Sequence, residues 1–284
     1  MKRILIAVMA LCATFASAQQ LENSLLWKIT GKGLTKPSYL FGTIHITCDA
    51  KLDDNVLNAL KATDQLYLEL DMDDPGLQTA MMGGMMMKDG KTMSSLANEA
   101  DFKVVDEFLQ KNLGMSATML NIIKPTMVTT MLLPKMMDCP MQSFEAELMK
   151  VTAEQNEQVY GLEKVQDQLA IFDAIPYERQ MDELVKTAKD NMVSDKEEFA
   201  KMMEIYAGKN INKMHAFMQE SENKMYSEYQ DVMLDNRNKN WIPVIEKVAK
   251  EKPTFFGVGA AHLGGDNGVI KLLRKQGYKV EAVK

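Results

Sequence analysis

Ser38-Tyr39-Leu40-Phe41-Gly42-Thr43-Ile44-His45 is an apolar run that stops at a Gly-x-x-His, and Phe255-Phe256-Gly257-Val258-Gly259-Ala260-Ala261-His262 ends the same way. The chain has three histidines, and two of them occupy these matching positions near its opposite ends. Apolar and aromatic runs bounded by glycine read as strands. In α/β sheets, functional groups gather just beyond the carboxyl ends of strands. Gly42 and Gly259 would allow tight turns there and bring the imidazoles close. His45 and His262 are therefore expected to meet as two halves of one site.

Working outward, residues 24–30 and 38–41 read as a hairpin around Gly31-Lys32-Gly33 and Lys36-Pro37. Residues 53–63 read as a helix with Val56, Leu57 and Leu60 on one face and Asp53 or Asp54 as cap. Gln65 to Leu70 is the next strand, so strand, helix and strand form a parallel crossover unit. The pattern from Asp101 to Met137 is helical, punctuated by Pro125 and Pro134, and Ser143 caps a further helix. After a short strand at 158–161 come helices at 164–173, 177–191, 195–207, 210–222 and 224–250, the last broken near Arg237. The chain closes with a strand at 253–258, a glycine turn, a helix at 267–276 and a strand at 278–283. The expected fold is α/β, a central mixed or parallel sheet with flanking helices. It forms a single domain over 19–284, with a large helical insertion at roughly 75–155 and 175–250.

The composition suits a globular chain of this length, with 46% hydrophobic and 25% charged residues. A net charge of −6 without a basic stretch argues against nucleic-acid binding. Residues 1–18 read as an export signal, with Lys2 and Arg3, a short apolar run and an Ala16-Ser17-Ala18 cleavage site. No later run approaches the length of a transmembrane helix, so no membrane span is expected after signal removal. An exported protein, periplasmic or secreted, would retain Cys48 and Cys139. An even pair in an oxidising compartment suggests a disulfide that also braces His45, the alternative being two free thiols or a thiolate near a metal.

Glu69 and Glu163, each near the end of a strand, join the histidines as candidates for the same edge. Two imidazoles with carboxylates suit Zn²⁺ or a harder ion such as Mn²⁺, which polarises a carbonyl and activates water. Arg237 would stabilise negative charge in a transition state. Each residue also has a plain structural reading: a buried histidine bonded to a carbonyl, Glu69 as an edge-strand charge, Glu163 as a helix cap. His215 reads as a surface histidine. Met81 to Met87 reads as an adaptable apolar lid or a Cu(I) trap. Gly257 to His262 is not a full dinucleotide fingerprint, and neither a phosphate-loop lysine motif nor a Gly-x-Ser-x-Gly elbow occurs.

Ser38 to His45, Leu68-Glu69-Leu70-Asp71, Gly161-Leu162-Glu163 with Gln168, Arg237-Asn238, and Phe255 to Gly265 keep the order and spacing of the TraB/GumN family, which this chain resembles over nearly its whole length. That family is related to the metal-dependent Tiki proteases and to an erythromycin esterase-like fold. The resemblance implies a site of His45, Glu69, Arg237 and His262, with Glu145 and Glu163 as additional candidates. The expected activity is hydrolysis of peptide or protein substrates with a divalent metal (Zn, Mn or Co). His45, His262 and Glu69 would be ligands, Glu69 a ligand or general base, and Arg237 the electrostatic stabiliser. The alternative is a non-catalytic periplasmic peptide- or signal-binding protein using the same cleft.

Overall fold

The computed structural model describes residues 20–284, so the signal expected at 1–18 lies outside the described residues. Six strands form one sheet: β1 (Leu26–Thr30), β2 (Ser38–Thr43), β3 (Leu66–Leu68), β4 (Val159–Gly161), β5 (Phe255–Gly259) and β6 (Lys279–Ala282). Their spatial order is β4-β3-β5-β2-β1-β6. The first four in that order run parallel, while β1 is antiparallel to both of its neighbours, β2 and β6. The sheet is mixed and the fold is α/β, as expected.

The helices in chain order are α1 (Asp54–Lys61), α2 (Leu77–Gly84), α3 (Met93–Leu96), α4 (Glu99–Leu113), α5 (Pro125–Leu132), α6 (Phe144–Glu154) and α7 (Val165–Ala174). They continue as α8 (Tyr177–Lys189), α9 (Val193–Ala207), α10 (Ile211–Glu220), α11 (Met225–Glu228), α12 (Asn236–Glu251) and α13 (Val269–Lys275). Among the described residues, no helix is long and apolar enough to cross a membrane.

Two apolar cores result. The larger surrounds the sheet, where Trp27, Leu40, Leu66, Phe255 and Phe256 are wholly buried with Trp241 of α12. Each such side chain contributes about 1.5–3 kcal/mol relative to exposure. The second contains no strand residue and is built mainly of helices. Met181, Leu184, Val185 and Ala188 recur at helical spacing on α8 and meet Val105, Phe108 and Leu109 of α4 and Val128 and Leu132 of α5.

Four expectations shift in detail. The helical pattern of 101–137 is cut after α4 by Gly114, whose φ of 71° supplies the left-handed cap that ends a helix. The strand expected over 65–70 ends at Leu68, because Glu69 turns its side chain to the Gly259 N–H. The break expected near Arg237 falls just before it: Asp231–Asp235 form a π-helical turn in which the Asn236 N–H reaches back to Asp231 O. α12 then runs unbroken through Arg237. Asp53 precedes α1 but makes no side-chain cap bond and pairs with Lys209 at 2.5 Å instead.

Candidate functional site

Four neighbouring parallel strands each deliver a polar side chain just past their carboxyl ends. Glu163 follows β4, Glu69 follows β3, His262 follows β5 and His45 follows β2. Parallel register puts all four on one edge of the sheet, and α12 brings Arg237 over it. Gly42 and Gly259 serve this edge by being small, since neither has a positive φ. A Cβ on Gly42 would lie 2.6 Å from Leu263 Cδ1 and 3.1 Å from Ala260 Cα, so the turn after β5 could not approach β2. A Cβ on Gly259 would lie 3.2 Å from Glu69 Oε1, 3.6 Å from His262 Cδ2 and 3.7 Å from His45 Nε2. The two histidines and Glu69 thus surround one small space above Gly259.

The Arg237 guanidinium ties the buried half together. Its Nη2 donates to Glu69 Oε2 and to Glu163 Oε1, each at 2.5 Å, and its Nε to Glu163 Oε1 at 3.0 Å. Its Nη1 donates to Met233 O at 3.1 Å, beside the π-helical turn, and contacts His262 Nε2 at 3.0 Å. Trp241, one turn further along α12, stacks under the guanidinium 4.9 Å away and donates its Nε1–H to Glu163 Oε2 at 3.0 Å. Glu69 also accepts from the Gly259 N–H at 2.8 Å and from Gln168 Nε2 at 3.1 Å. Burial alone would raise the Glu69 carboxyl, but the basic groups around it, His262 and Arg237 first, bring it down to about 2.

His262 is buried and held by Asn238, whose Oδ1 lies 2.6 Å from Nδ1. Asn238 Nδ2 donates to Asn267 O at 2.9 Å, so its Oδ1 faces the ring as an acceptor. Nδ1 therefore carries the proton, and Nε2 presents its lone pair to Arg237. Burial, aided by the Arg237 charge against the pull of Glu69, depresses His262 to about 3 and keeps it neutral at neutral pH.

His45 is different in kind. Its side chain is 66% exposed, and Nδ1 lies 2.9 Å from Glu145 Oε1. Glu145 is in turn fixed by Thr43 Oγ1 at 2.6 Å and by Ser143 Oγ at 2.8 Å, Ser143 being the expected cap of α6. The hydrogen bond to Glu145 holds His45 protonated up to about 9, despite the opposing cost of desolvation. Cys48 and Cys139 form a disulfide, and Thr47 and Gln142 exchange backbone hydrogen bonds of 3.0 and 2.8 Å beside it. Together they clamp the segment before α6 against the loop that carries His45.

Both imidazoles have Nδ1 engaged by an oxygen acceptor, the arrangement that orients Nε2 toward an ion. Two Nε2 atoms and a carboxylate oxygen around a glycine cradle fit a divalent metal in kind, provided His45 gives up its Nε2 proton to the incoming ion. As placed, they are not a closed cage: among the described residues no three His, Cys, Asp or Glu side chains enclose an ion, and Arg237 holds the His262 lone pair. An ion would take over that contact.

All six residues singled out from the sequence thus lie along one strand-end edge, Glu145 through His45 and Glu163 through Arg237. Sequence reasoning missed the parts played by Asn238 and Trp241, although helical spacing from Arg237 puts Trp241 on the same face. His215 lies outside this network, packed on the Gly264–Gly265 turn, where a Cβ on Gly265 would meet its ring at 2.7 Å. In the methionine run, Met82 and Met86 are exposed and Met87 is buried.

A search of the curated proteins found no match, and a search of the solved structures found none. The model of the TraB/PrgY/gumN family matches residues 25–282, which include every strand and every residue of the site. The chain belongs to the TraB/PrgY/gumN family.

Proposed function

We propose that this protein is an exported, metal-dependent hydrolase of peptide bonds. The observation that carries the reading is the convergence of His45, Glu69 and His262 on the space above Gly259. His45 Nε2, His262 Nε2 and a Glu69 oxygen would hold a divalent ion (Zn, Mn or Co), which supplies a Lewis acid and an activated water when bound. The chain's own groups do the rest. Asn238 and Glu145 aim the two imidazoles, Glu145 by accepting a hydrogen bond from the Nδ1–H of His45. Arg237, freed from His262, presents an N–H to the oxyanion of a tetrahedral intermediate while still neutralising Glu69 and Glu163. The Cys48–Cys139 disulfide supports export, since such bonds persist in oxidising compartments.

The test is metal analysis of the purified protein followed by peptide cleavage with Zn²⁺, Mn²⁺ or Co²⁺ supplied. His45→Ala and His262→Ala should each lose the ion and the turnover while keeping the fold. Absence of both binding and turnover in the unaltered protein overturns the proposal. The contact between Arg237 and His262 favours a second reading, a non-catalytic peptide- or signal-binding protein in which the guanidinium stays where it is. Peptide affinity that survives both histidine substitutions, without turnover under any metal, would select it.

A further inference from the structure

A cavity of about 510 Å³ lies beside the strand-end site and has no part in the assignments above. Its size is that of a ligand pocket, about 300–1,000 Å³. Tyr67 and Tyr160, on neighbouring strands β3 and β4, line it as a stacked pair with centroids 5.0 Å apart and an interplanar angle of 29°. Leu77 of α2 adds apolar surface, and Asp71 and Asp74 add carboxylates. Glu163 lines the same cavity and is also the residue that grips Arg237, so it forms a wall common to cavity and site. Gly161 lets the end of β4 pack closely on the Asp71 backbone: a Cβ there would lie 2.6 Å from Asp71 N.

The polar groups in this lining are unevenly satisfied. Arg237 and Trp241 neutralise and bond Glu163. Asp74 Oδ1 accepts from the Gly76 N–H at 2.7 Å. Asp71 Oδ1 is buried without a donor in hydrogen-bond geometry, and burial together with the neighbouring Asp73 and Asp74 carboxylates pushes the Asp71 carboxyl up to about 6. A buried acceptor without a donor is costly, and a ligand that brings a donor recovers the cost. Lys164 is the cation in the lining; its residue is exposed, and it does not bond Asp71.

We propose that this cavity is the subsite for a lysine or arginine side chain of a bound peptide, a reading of substrate class that rests on the hydrolase function above. The aliphatic stem of such a residue covers the tyrosine faces and Leu77, as long basic side chains do on apolar surface. Its cationic head supplies the donor that Asp71 Oδ1 lacks, strengthened by the Asp74 charge and the aromatic rings. An acidic or neutral side chain brings no such donor.

Calorimetry with N-acetylated, C-amidated tripeptides, Ala-Arg-Ala, Ala-Lys-Ala and Ala-norleucine-Ala, tests this on the full protein with EDTA present so that no turnover intervenes. The basic peptides should bind about tenfold or more tighter than the norleucine peptide, the share expected of a hydrogen bond to a charged group. Asp71→Asn and Asp74→Asn should each narrow that preference without weakening the norleucine peptide, and circular dichroism should show both variants folded. Equal affinity for all three peptides, binding of none, or an unchanged preference in both variants overturns the proposal. So does calcium chloride alone, titrated after EDTA has been removed, binding at a site that Asp71→Asn abolishes, without any peptide preference. Basic preference without cleavage under any metal keeps the subsite and removes the hydrolase reading; cleavage without basic preference does the reverse.

Discussion

Arg237 Nη1 stands 3.0 Å from the neutral Nε2 of His262, so the one lone pair of a buried imidazole is occupied by a guanidinium. The same guanidinium neutralises two buried carboxylates, Glu69 and Glu163. Arg237 is therefore a structural keystone whatever else it does.

Replacing it should show as stability first. Arg237→Ala leaves two carboxylates buried without their partner, and removal of one member of a buried pair costs about 3–5 kcal/mol. Arg237→Lys should recover little, because a single ammonium cannot reproduce the fork that spans Glu69, Glu163, Met233 O and His262. Denaturant unfolding of both variants measures the loss, and a change below about 1 kcal/mol would contradict this account.

The His45–Glu145 pair predicts a pH dependence of definite sign. His45 titrates at about 9 in the folded protein against 6.5 in an unfolded chain. The stability it contributes is fully present below pH 6.5 and is lost as pH rises through about 9. Glu145→Gln should bring the His45 titration back toward 6.5. Histidine proton shifts followed by NMR on the metal-free protein would check it; an unmoved titration would show that Glu145 is not the cause.

Gly259→Ala is the sharpest probe of the space between the histidines. The φ of −52° at this position accepts alanine, so the backbone is not strained. The methyl would sit 3.2 Å from Glu69 Oε1 and 3.7 Å from His45 Nε2, in the space assigned to an ion. The fold should survive at a cost of about 1–3 kcal/mol, typical of one added methyl in a packed place. Metal affinity should fall by about tenfold or more, as it does when the surroundings of ligands are disturbed. Thermal unfolding and metal titration read the two effects separately.

Reducing the disulfide should do more than loosen the chain. Cys48 and Cys139 are 91 residues apart, and removing a bridge of this kind costs about 2–5 kcal/mol. The clamp it forms also holds Glu145 beside His45, so Cys48→Ser with Cys139→Ser should lower the His45 titration as well as the melting temperature. A fall in melting temperature alone would assign the bridge a purely structural role.

Most of the sheet is legible in the sequence, because runs such as Leu66 to Leu68 and Phe255 to Val258 are apolar and stop at glycine or at a charge. The convergence of His45 and His262 is legible for the same reason, since a repeated strand ending implies a shared edge. The middle of the chain is less so. A π-helical turn such as Asp231–Asp235 is invisible to a search for a 3.6-residue period, and it moves the break away from Arg237. Glu145 illustrates a further limit: it lies 100 residues from His45, and what joins them is a cystine and a pair of backbone hydrogen bonds, not a spacing. The role of Asn238 depends on which atom of its amide faces a ring, and that is set by Asn267 O on a distant turn.

The position of β5 has a consequence for the order in which the molecule can be made. It lies between β2 and β3, yet it is the fifth strand to leave the ribosome. Until residue 259 is synthesised, the β1–β2 hairpin and the β3–β4 pair are separate pieces with bare inner edges, and contacts of such long range form slowly. A chain still under synthesis is thus an open one that cannot lock early.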